Sequence, residues 1–262
     1  MPSPGANPLR LRLEHAEVLL GGWCTLPSSF AAELVGSSGV DYAVVDMQHG
    51  LASYSDLISM LQAIRLTGAV PLVRIPFEDY GLAQRALDGG AMGIIIPMVN
   101  DRELAQAAVR ACRYPPLGER SFGPIRAELQ LGSDTEWANA QVLLLVQIET
   151  GQALANVDGI LSVAGVDGVY VGPADLALSH GIPPGTPSDE VTEMLSRIVN
   201  ACHLHGKVSG IHALSGADCR GKIALGYQMC SIGSDSTWLH AGYVEQVAAA
   251  RNDSVLKVTG SQ

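Results

Sequence analysis

The 262-residue sequence has few charged residues, few aromatic residues and no long apolar run. Asp, Glu, Lys and Arg make up 16% of the chain, aromatic residues make up 5%, and the formal net charge is −10. An acidic chain with so few cations does not attract a phosphate backbone or an anionic lipid surface, so neither nucleic acid nor a membrane is an expected partner. No apolar stretch approaches the ~20 residues that a membrane helix needs, and no signal peptide is recognisable.

Several short motifs are also missing. No GxGxxG follows an apolar stretch, and there is neither a phosphate-binding GxxxxGK[ST] loop nor a GxSxG elbow, so dinucleotide, nucleotide and serine-hydrolase functions have no support. The five cysteines are widely spread and lack CxxC spacing, which predicts reduced thiols and a cytoplasmic location instead of disulfides or a zinc site. No lysine ends any of the first six predicted strands, which argues against Schiff-base chemistry.

What the sequence does have is apolar material in short, regularly spaced segments. Apolar residues make up 47% of the chain, and the length suits an α/β barrel treated as one domain. We predict a single domain over residues 1–262, with frayed ends at 1–8 and 254–262. The apolar segments predict eight strands: Leu19–Thr25, Tyr42–Asp46, Pro71–Ile75, Gly93–Pro97, Val142–Glu149, Gly168–Val171, Val208–His212 and Gln228–Ile232.

A stretch with helical periodicity follows each predicted strand. The predicted helices are Ser29–Ser37, Tyr54–Thr67, Tyr80–Asp88, Asp101–Arg113, Gly151–Ser162, Ser188–His205, Ser215–Leu225 and Asp235–Arg251. Because the strands are apolar almost throughout, they are expected to be buried on both faces, as in a parallel sheet. The alternation predicts an α/β fold, a (β/α)₈ TIM barrel, in which two long connections, 114–139 and 174–187, are expected to be loops.

Polar side chains gather at the predicted C-terminal ends of the strands, where barrel enzymes place their chemistry. Glu149 and Asp175 end neighbouring strands, and two carboxylates without a matching Cys or His suit Mg²⁺ or Mn²⁺. Such a site leaves positions for a chelating 2-oxo acid, whose enolate the ion would stabilise. The alternative is that each acid caps the helix that follows it.

Arg74 and His49 are the other ionisable candidates at these strand ends. Arg74 ends a buried strand and needs an anion, which is either a substrate oxyanion or a structural partner, Glu149 or Asp46. His49 is the natural general base, and Asp46 could orient it directly or through water; the alternative is a structural histidine.

The turn after strand six and the end of strand seven complete this set. Gly172, Pro173, Ala174 and Asp175 lead into a turn whose backbone N–H groups could bind a substrate carboxylate, although a simple strand-to-loop turn would also explain the Gly-Pro pair. His212 ends strand seven and is a candidate substrate contact.

Several sequence blocks in order resemble the HpcH/HpaI class II aldolases, whose members include 4-hydroxy-2-oxoheptanedioate aldolase and 2-dehydro-3-deoxyglucarate aldolase. The resemblance spans nearly the whole chain. The blocks are Val45–Gly50, Val73-Arg74, Ile96–Val99, Arg113–Gly118 with Arg120-Ser121 and Gly123-Pro124, Val146–Thr150, Val169–Leu176 and Gly233–Asp235. The family commonly has Glu where this chain has Gln48.

The resemblance implies a pyruvate aldolase that binds Mg²⁺, Mn²⁺ or Co²⁺ through Glu149 and Asp175. It implies that Arg74 and Gln147 lie near the enolate oxygen, and that His49 with Asp46 moves the proton. Backbone N–H groups of Ala174 and Asp175 would hold the carboxylate. The remaining implied roles are substrate contact for Trp23, His212 and Leu214, and support of the site by Asp88 from a neighbouring subunit.

The resemblance further implies a hexamer, built as a trimer of dimers that exchange the last helix, with a 2-oxo acid and an aldehyde as small-molecule partners. Two alternatives stay open. Another enolate lyase on the same barrel, such as an oxaloacetate decarboxylase or a lyase of the citrate or malyl-CoA type, needs the same ion. A non-catalytic barrel would have little reason to keep His49, Arg74, Glu149 and Asp175 together.

Overall fold

A computed structural model describes residues 5–252, without the side chain of residue 252. Eight parallel strands form a closed barrel in which each strand pairs with the next along the chain and the eighth pairs with the first. Helices separate consecutive strands, so the predicted (β/α)₈ class is confirmed. Among the described residues, no helix combines the length and the apolar character needed to span a membrane.

The elements have the following bounds. The strands are β1 (Leu19–Cys24), β2 (Tyr42–Asp46), β3 (Val70–Arg74), β4 (Gly93–Ile96), β5 (Leu143–Ile148), β6 (Gly168–Val171), β7 (Val208–Ile211) and β8 (Met229–Ser234). The helices are α1 (Pro8–Glu14), α2 (Ser29–Gly36), α3 (Tyr54–Thr67), α4 (Tyr80–Asp88), α5 (Arg102–Cys112), α6 (Glu128–Leu131), α7 (Thr135–Gln141), α8 (Gly151–Ala155), α9 (Val157–Leu161), α10 (Pro173–Ser179), α11 (Asp189–Leu204), α12 (Gly216–Ala224) and α13 (Asp235–Asn252).

All eight predicted strands are present, and the five strands from β2 to β6 are buried at every position. This burial explains their continuous apolar sequences, since one face of each strand lines the barrel and the other packs under helices. The strand register aligns Asp46 with Arg74, and Gln147 with Tyr170. The polar residues that follow the strands are therefore brought to one end of the barrel, which we call the C-terminal rim.

Two tyrosines fill the middle of the barrel below this rim. The hydroxyl groups of Tyr42 and Tyr170 lie 3.1 Å apart, and both side chains are fully buried. Gly21 makes room for Tyr42, because a Cβ at this position would lie 2.2 Å from the Tyr42 ring. The five cysteines are all buried and unpaired, which agrees with the predicted reduced thiols.

Three predictions about irregular segments are wrong. The connection 114–139 contains α6 and most of α7, and the connection 174–187 contains most of α10, so neither is a plain loop. The frayed start predicted for residues 1–8 does not include residues 5–8, because Asn7 is fully buried and its side chain donates to the carbonyl oxygens of Met92 and Gln141. Residues 1–4 and the predicted frayed end, 254–262, lie outside the described residues.

The last helix, α13, packs little against its own barrel. Its apolar side chains are largely exposed: Trp238, Leu239, Tyr243, Val244 and Val247 are 45–69% accessible. Its start is nevertheless anchored, since the Asp235 carboxylate accepts hydrogen bonds from the backbone N–H and the hydroxyl of Thr25 at 2.8 and 2.7 Å. A long helix with an uncovered apolar surface is typical of a segment that packs against another chain.

Candidate active site

Glu149 lies at the C-terminal rim, just after β5. It is only 2% exposed, and its Oε1 accepts a hydrogen bond of 2.7 Å from the backbone N–H of Met98. Met98 has a φ of +57°, a conformation that L residues rarely adopt and that costs free energy. The strained backbone after β4 therefore serves to hold one oxygen of a buried carboxylate.

The other oxygen of Glu149 faces Gly172, at the end of β6. A Cβ at position 172 would lie 2.6 Å from Glu149 Oε2 and 2.8 Å from Gln147 Nε2, so a glycine is needed for this close approach. Burial raises the pKa of Glu149 to about 7, and the nearby charge of Asp175 also raises it. Asp175 is thus near enough for its charge to act on Glu149, and a cation between the two acids would offset their repulsion.

Neither acid is an N-cap, so N-capping by these two side chains is wrong, although Asp175 does lie near a helix start, where an acid favours the helix dipole. Thr150 caps α8, because its hydroxyl accepts a hydrogen bond from the backbone N–H of Ala153. The N-cap of α10 is Gly172, and Asp175 lies in the first turn with an exposed side chain. The carboxylates of Glu149 and Asp175 remain available for a ligand.

Gln147 lies beside Glu149 and has an unusual environment. It is 2% exposed, and its Oε1 is enclosed without a hydrogen-bond partner in the part of the chain that the structure describes. A buried amide oxygen without a partner is costly, and such atoms in native proteins commonly face an ion, a water molecule or a ligand. Gln147 is therefore positioned to contact whatever Glu149 binds.

Arg74 pairs with Asp46 on the adjacent strand. Nε and Nη2 of Arg74 donate to the two carboxylate oxygens of Asp46 at 2.9 and 2.5 Å, and Trp23 Nε1 donates to Asp46 Oδ2 at 3.0 Å. Of the partners considered for Arg74, the structure selects Asp46 as the structural one. The pair leaves Arg74 Nη1 without a hydrogen bond among residues 5–252, so a substrate oxyanion can still bind there.

His49 is exposed at the same rim, and Asp46 holds its backbone. Asp46 Oδ1 accepts hydrogen bonds from the backbone N–H groups of Gln48 and His49 at 3.0 and 3.3 Å. The direct contact considered between the Asp46 carboxylate and the His49 ring is not formed, because the carboxylate is already occupied by Arg74 and Trp23. Asp46 thus fixes the loop that carries the imidazole, while a contact through water remains a prediction.

The other predicted site residues divide into two groups. Trp23 lies between Arg74, whose guanidinium carbon is 5.1 Å from the centre of the Trp23 ring, and His212, whose ring centre is 5.0 Å away. Leu214 follows β7 and is 63% exposed. Asp88 ends α4, which leads into the opposite end of the barrel, and pairs with Arg120 at 2.6 Å, so it does not join the site within one chain.

Sequence reasoning assigned no role to Met98 or Ser231. Met98 acts through its backbone N–H, and a methionine carries no sequence signal for a positive φ. Ser231 lies inside the barrel on β8 and hydrogen-bonds to His212 Nδ1 at 2.8 Å. A polar residue within an apolar strand was the only available signal for Ser231.

A buried carboxylate near a second acid, an arginine and an exposed histidine thus lie at the C-terminal rim of a TIM barrel, where barrel enzymes place their active sites. The HpcH/HpaI aldolase/citrate lyase family matches residues 20–241, and the chain belongs to this family. It is a class II aldolase, which is a carbon–carbon lyase. Neither another enolate lyase nor a non-catalytic barrel is better supported than this assignment.

Similar named proteins and solved structures agree with this family assignment. The chain is 40% identical over 248 residues to a hydroxypyruvate/pyruvate aldolase of Rhizorhabdus wittichii, covering 94% of this chain and 99% of the relative. It is 34% identical to a 2-keto-3-deoxy-L-rhamnonate aldolase of Salmonella gallinarum, covering 88% of each chain. A crystal structure of an HpcH/HpaI aldolase/citrate lyase family protein from Burkholderia cenocepacia is similar with a TM-score of 0.87 at 33% identity, covering 94% of this chain and 100% of that one.

Proposed function

We propose that this aldolase reversibly cleaves a 4-hydroxy-2-oxo acid into an aldehyde and pyruvate, or a close 2-oxo acid such as hydroxypyruvate. The names of the two relatives support this substrate class. The observation that carries the proposal is the buried Glu149, with one oxygen fixed by Met98 and the other free of hydrogen bonds among the described residues and directed toward Gly172. The charge of Asp175 lies near enough to raise the pKa of Glu149.

The donor atoms around Glu149 fit a divalent cation, Mg²⁺, Mn²⁺ or Co²⁺, held by Glu149 and Asp175. Two carboxylates offer hard oxygen ligands, and Gln147 lies beside Glu149 with a buried Oε1 that has no partner among the described residues. When bound, such an ion supplies Lewis acidity toward the 2-oxo acid, which stabilises negative charge on its ketone oxygen.

The side chains around this position would orient the substrate and move its proton. The free Nη1 of Arg74 and the amide of Gln147 are suited to the ketone oxygen, and the backbone N–H groups of Ala174 and Asp175 are suited to the carboxylate. His49, held by Asp46 through its backbone, would take the proton from C3 of the 2-oxo acid and return it during cleavage. Trp23, His212 and Leu214 would line the substrate.

Exchange of the C3 protons of the 2-oxo acid in D₂O tests this proposal without knowledge of the aldehyde. The purified protein is treated with EDTA and followed by NMR with pyruvate and with hydroxypyruvate, before and after addition of Mn²⁺ or Mg²⁺. We expect exchange only after the ion is restored. Exchange that is insensitive to EDTA would reject the metal-dependent proposal, and no exchange of either substrate with any ion would reject the 2-oxo acid.

Gly172→Ala should weaken ion binding without unfolding the barrel. The added Cβ would meet Glu149 Oε2 at 2.6 Å, so the carboxylate must move, and displacing a ligand in this way costs about 10- to 100-fold in ion affinity. The measurement is the rise in melting temperature during Mn²⁺ titration. Gly221→Ala in α12 is the matched control, because a Cβ there meets nothing within 4 Å. An unchanged Mn²⁺ midpoint would show that Gly172 is not needed at the site.

We also propose that the chain assembles as a hexamer, a trimer of dimers that exchange the last helix. The exposed apolar surface of α13 supports a partner chain on this helix. Asp88, which lies away from the site of its own chain, would then support the site of a neighbour. Analytical ultracentrifugation tests the assembly, and a monomer at micromolar concentration would reject it.

A further inference from the structure

His212 lies at the C-terminal rim, where it would line the substrate, but the proposed mechanism gives its polar atoms no role. It directly follows β7, and its backbone N–H donates to the carbonyl oxygen of Val171 at 3.1 Å, one residue before Gly172. Its ring stands edge-on to Trp23, at 5.0 Å and 74°, and the same Trp23 ring contacts Arg74. His212 is therefore separated from the Asp46–Arg74 pair by one aromatic ring.

The surroundings of His212 keep its imidazole neutral. Burial, with a smaller effect from the charge of Arg74, lowers its pKa to about 4. Nδ1 is engaged with the hydroxyl of Ser231 at 2.8 Å, and Ser231 is itself fully buried and accepts a hydrogen bond from the backbone N–H of Ala213. The ring is thus fixed on one side by a buried contact inside the barrel.

The second ring nitrogen, Nε2, is left for a ligand. It has no hydrogen-bond partner in the described part of the chain, and it is not among the side-chain atoms that are enclosed without one, so it remains accessible. A neutral imidazole has one donor and one acceptor, and the tautomer depends on the direction of the bond to Ser231. Either way, Nε2 offers a single neutral polar contact at the rim.

We propose that His212 determines specificity by binding a hydroxyl group on C3 of the 2-oxo acid, so that the enzyme prefers a 3-hydroxy-2-oxo acid to pyruvate as donor. This inference rests on the proposed function. A hydroxyl group both donates and accepts, so it satisfies Nε2 in either tautomer. A methyl group leaves Nε2 without a partner, and a carboxylate gains little from an uncharged ring.

The position of His212 favours the 2-oxo acid over the aldehyde. Its backbone is bonded to the end of β6, the strand that leads into the proposed carboxylate site at Ala174 and Asp175, and Trp23 connects its ring to Arg74, which is suited to the ketone oxygen. These two parts of the site are suited to C1 and C2 of the 2-oxo acid, the carboxylate and the ketone, and C3 is bonded to the ketone carbon. Nε2 of His212 therefore lies near the groups that are proposed to bind the 2-oxo acid.

The test compares two donors with one aldehyde. Initial rates with Mn²⁺ and glycolaldehyde give kcat/KM for hydroxypyruvate and for pyruvate, and the ratio of the two is the readout. His212→Phe should lower this ratio about 10-fold, as expected for one lost hydrogen bond. His212→Gln, which keeps a polar group near the position of Nε2, should retain most of the ratio. His212→Leu gives the same readout if the Phe ring does not fit.

A control and a second aldehyde make the result specific. His203→Phe makes the same change on the exposed end of α11, which leads into the opposite end of the barrel, and should leave the ratio unchanged. A ratio that His212→Phe and His212→Leu do not change, or equal losses for both donors, would overturn the inference while the wild-type enzyme still turns over. The inference would also be overturned if the effect of His212→Phe disappeared when acetaldehyde, which lacks the hydroxyl group of glycolaldehyde, is used as the aldehyde. No turnover by the wild type with either donor rejects the proposed function and this inference together.

Discussion

Glu149→Gln is expected to abolish ion-dependent proton exchange, with a loss of roughly 10³-fold or more, and Asp175→Asn is expected to do the same. The estimate follows because an ion at this position contributes several kcal/mol of charge stabilisation, and each ~1.4 kcal/mol changes the rate tenfold. Both variants keep the size of the side chain, so the change is confined to the charge of the ligand. Glu190→Gln, an exposed acid on α11, is the matched control and should keep the wild-type rate.

Thermal unfolding separates loss of the site from loss of the fold. The pKa of Glu149 is raised from 4.5 to about 7 in the folded chain, so ionising it there costs stability. Without the ion, wild-type stability should therefore fall as pH rises from 4.5 through 7, and this fall should be smaller in Glu149→Gln. At pH 8 the ion-free variant should melt no lower than the ion-free wild type. Mn²⁺ should raise the melting temperature of the wild type and of Glu190→Gln, but not that of Glu149→Gln or Asp175→Asn. A gain of stability from Mn²⁺ in either of these two variants would contradict the assignment.

The barrel could be predicted from the sequence because its strands are short, apolar and buried on both faces. β2 and β6 have the predicted bounds, and the others differ by one or two residues at their ends. α10 was missed because Gly172-Pro173, its N-cap and first residue, is a pair typical of a turn, although proline is also favoured at the first position of a helix. Local signals of this kind do not distinguish the two outcomes.

The anionic partner of Arg74 could not be predicted from the sequence pattern. The sequence indicated that a cation at the end of a buried strand needs an anion, but Asp46, Glu149 and a substrate were all candidates. The parallel register of β2 and β3 aligns Asp46 with Arg74, so their side chains meet. Register is a property of the closed barrel, and no short segment of sequence contains it.

The contacts that position Glu149 and His212 are even less accessible to sequence reasoning. One is a backbone N–H of Met98 at a positive φ, and the other is a serine inside the barrel on β8. Both depend on how distant segments meet in three dimensions. The sequence therefore identified the ionisable side chains of the site, whereas the groups that position them could be identified only from the structure.

His49→Ala is the second large effect that we expect, a loss of about 10²-fold in the exchange of C3 protons. The imidazole is exposed at the rim, and the carboxylate of Asp46, bonded to its backbone N–H, fixes the loop next to Arg74. Removing the ring removes the proposed base, but it disturbs neither the Asp46–Arg74 pair nor Glu149. Mn²⁺ should therefore still raise the melting temperature of the variant as it does for the wild type.

Rescue by an added base distinguishes proton transfer from a structural role. Free imidazole should restore part of the exchange rate of His49→Ala, since the lost ring leaves space open to solvent, and it should not affect His15→Ala, an exposed histidine that caps the end of α1. Exchange within threefold of wild type, with ion binding intact, would remove His49 from the proposed mechanism. The base would then have to be sought among the other groups of the rim. A slow variant without rescue would instead indicate that His49 positions the substrate, because only a missing proton acceptor can be replaced from solution.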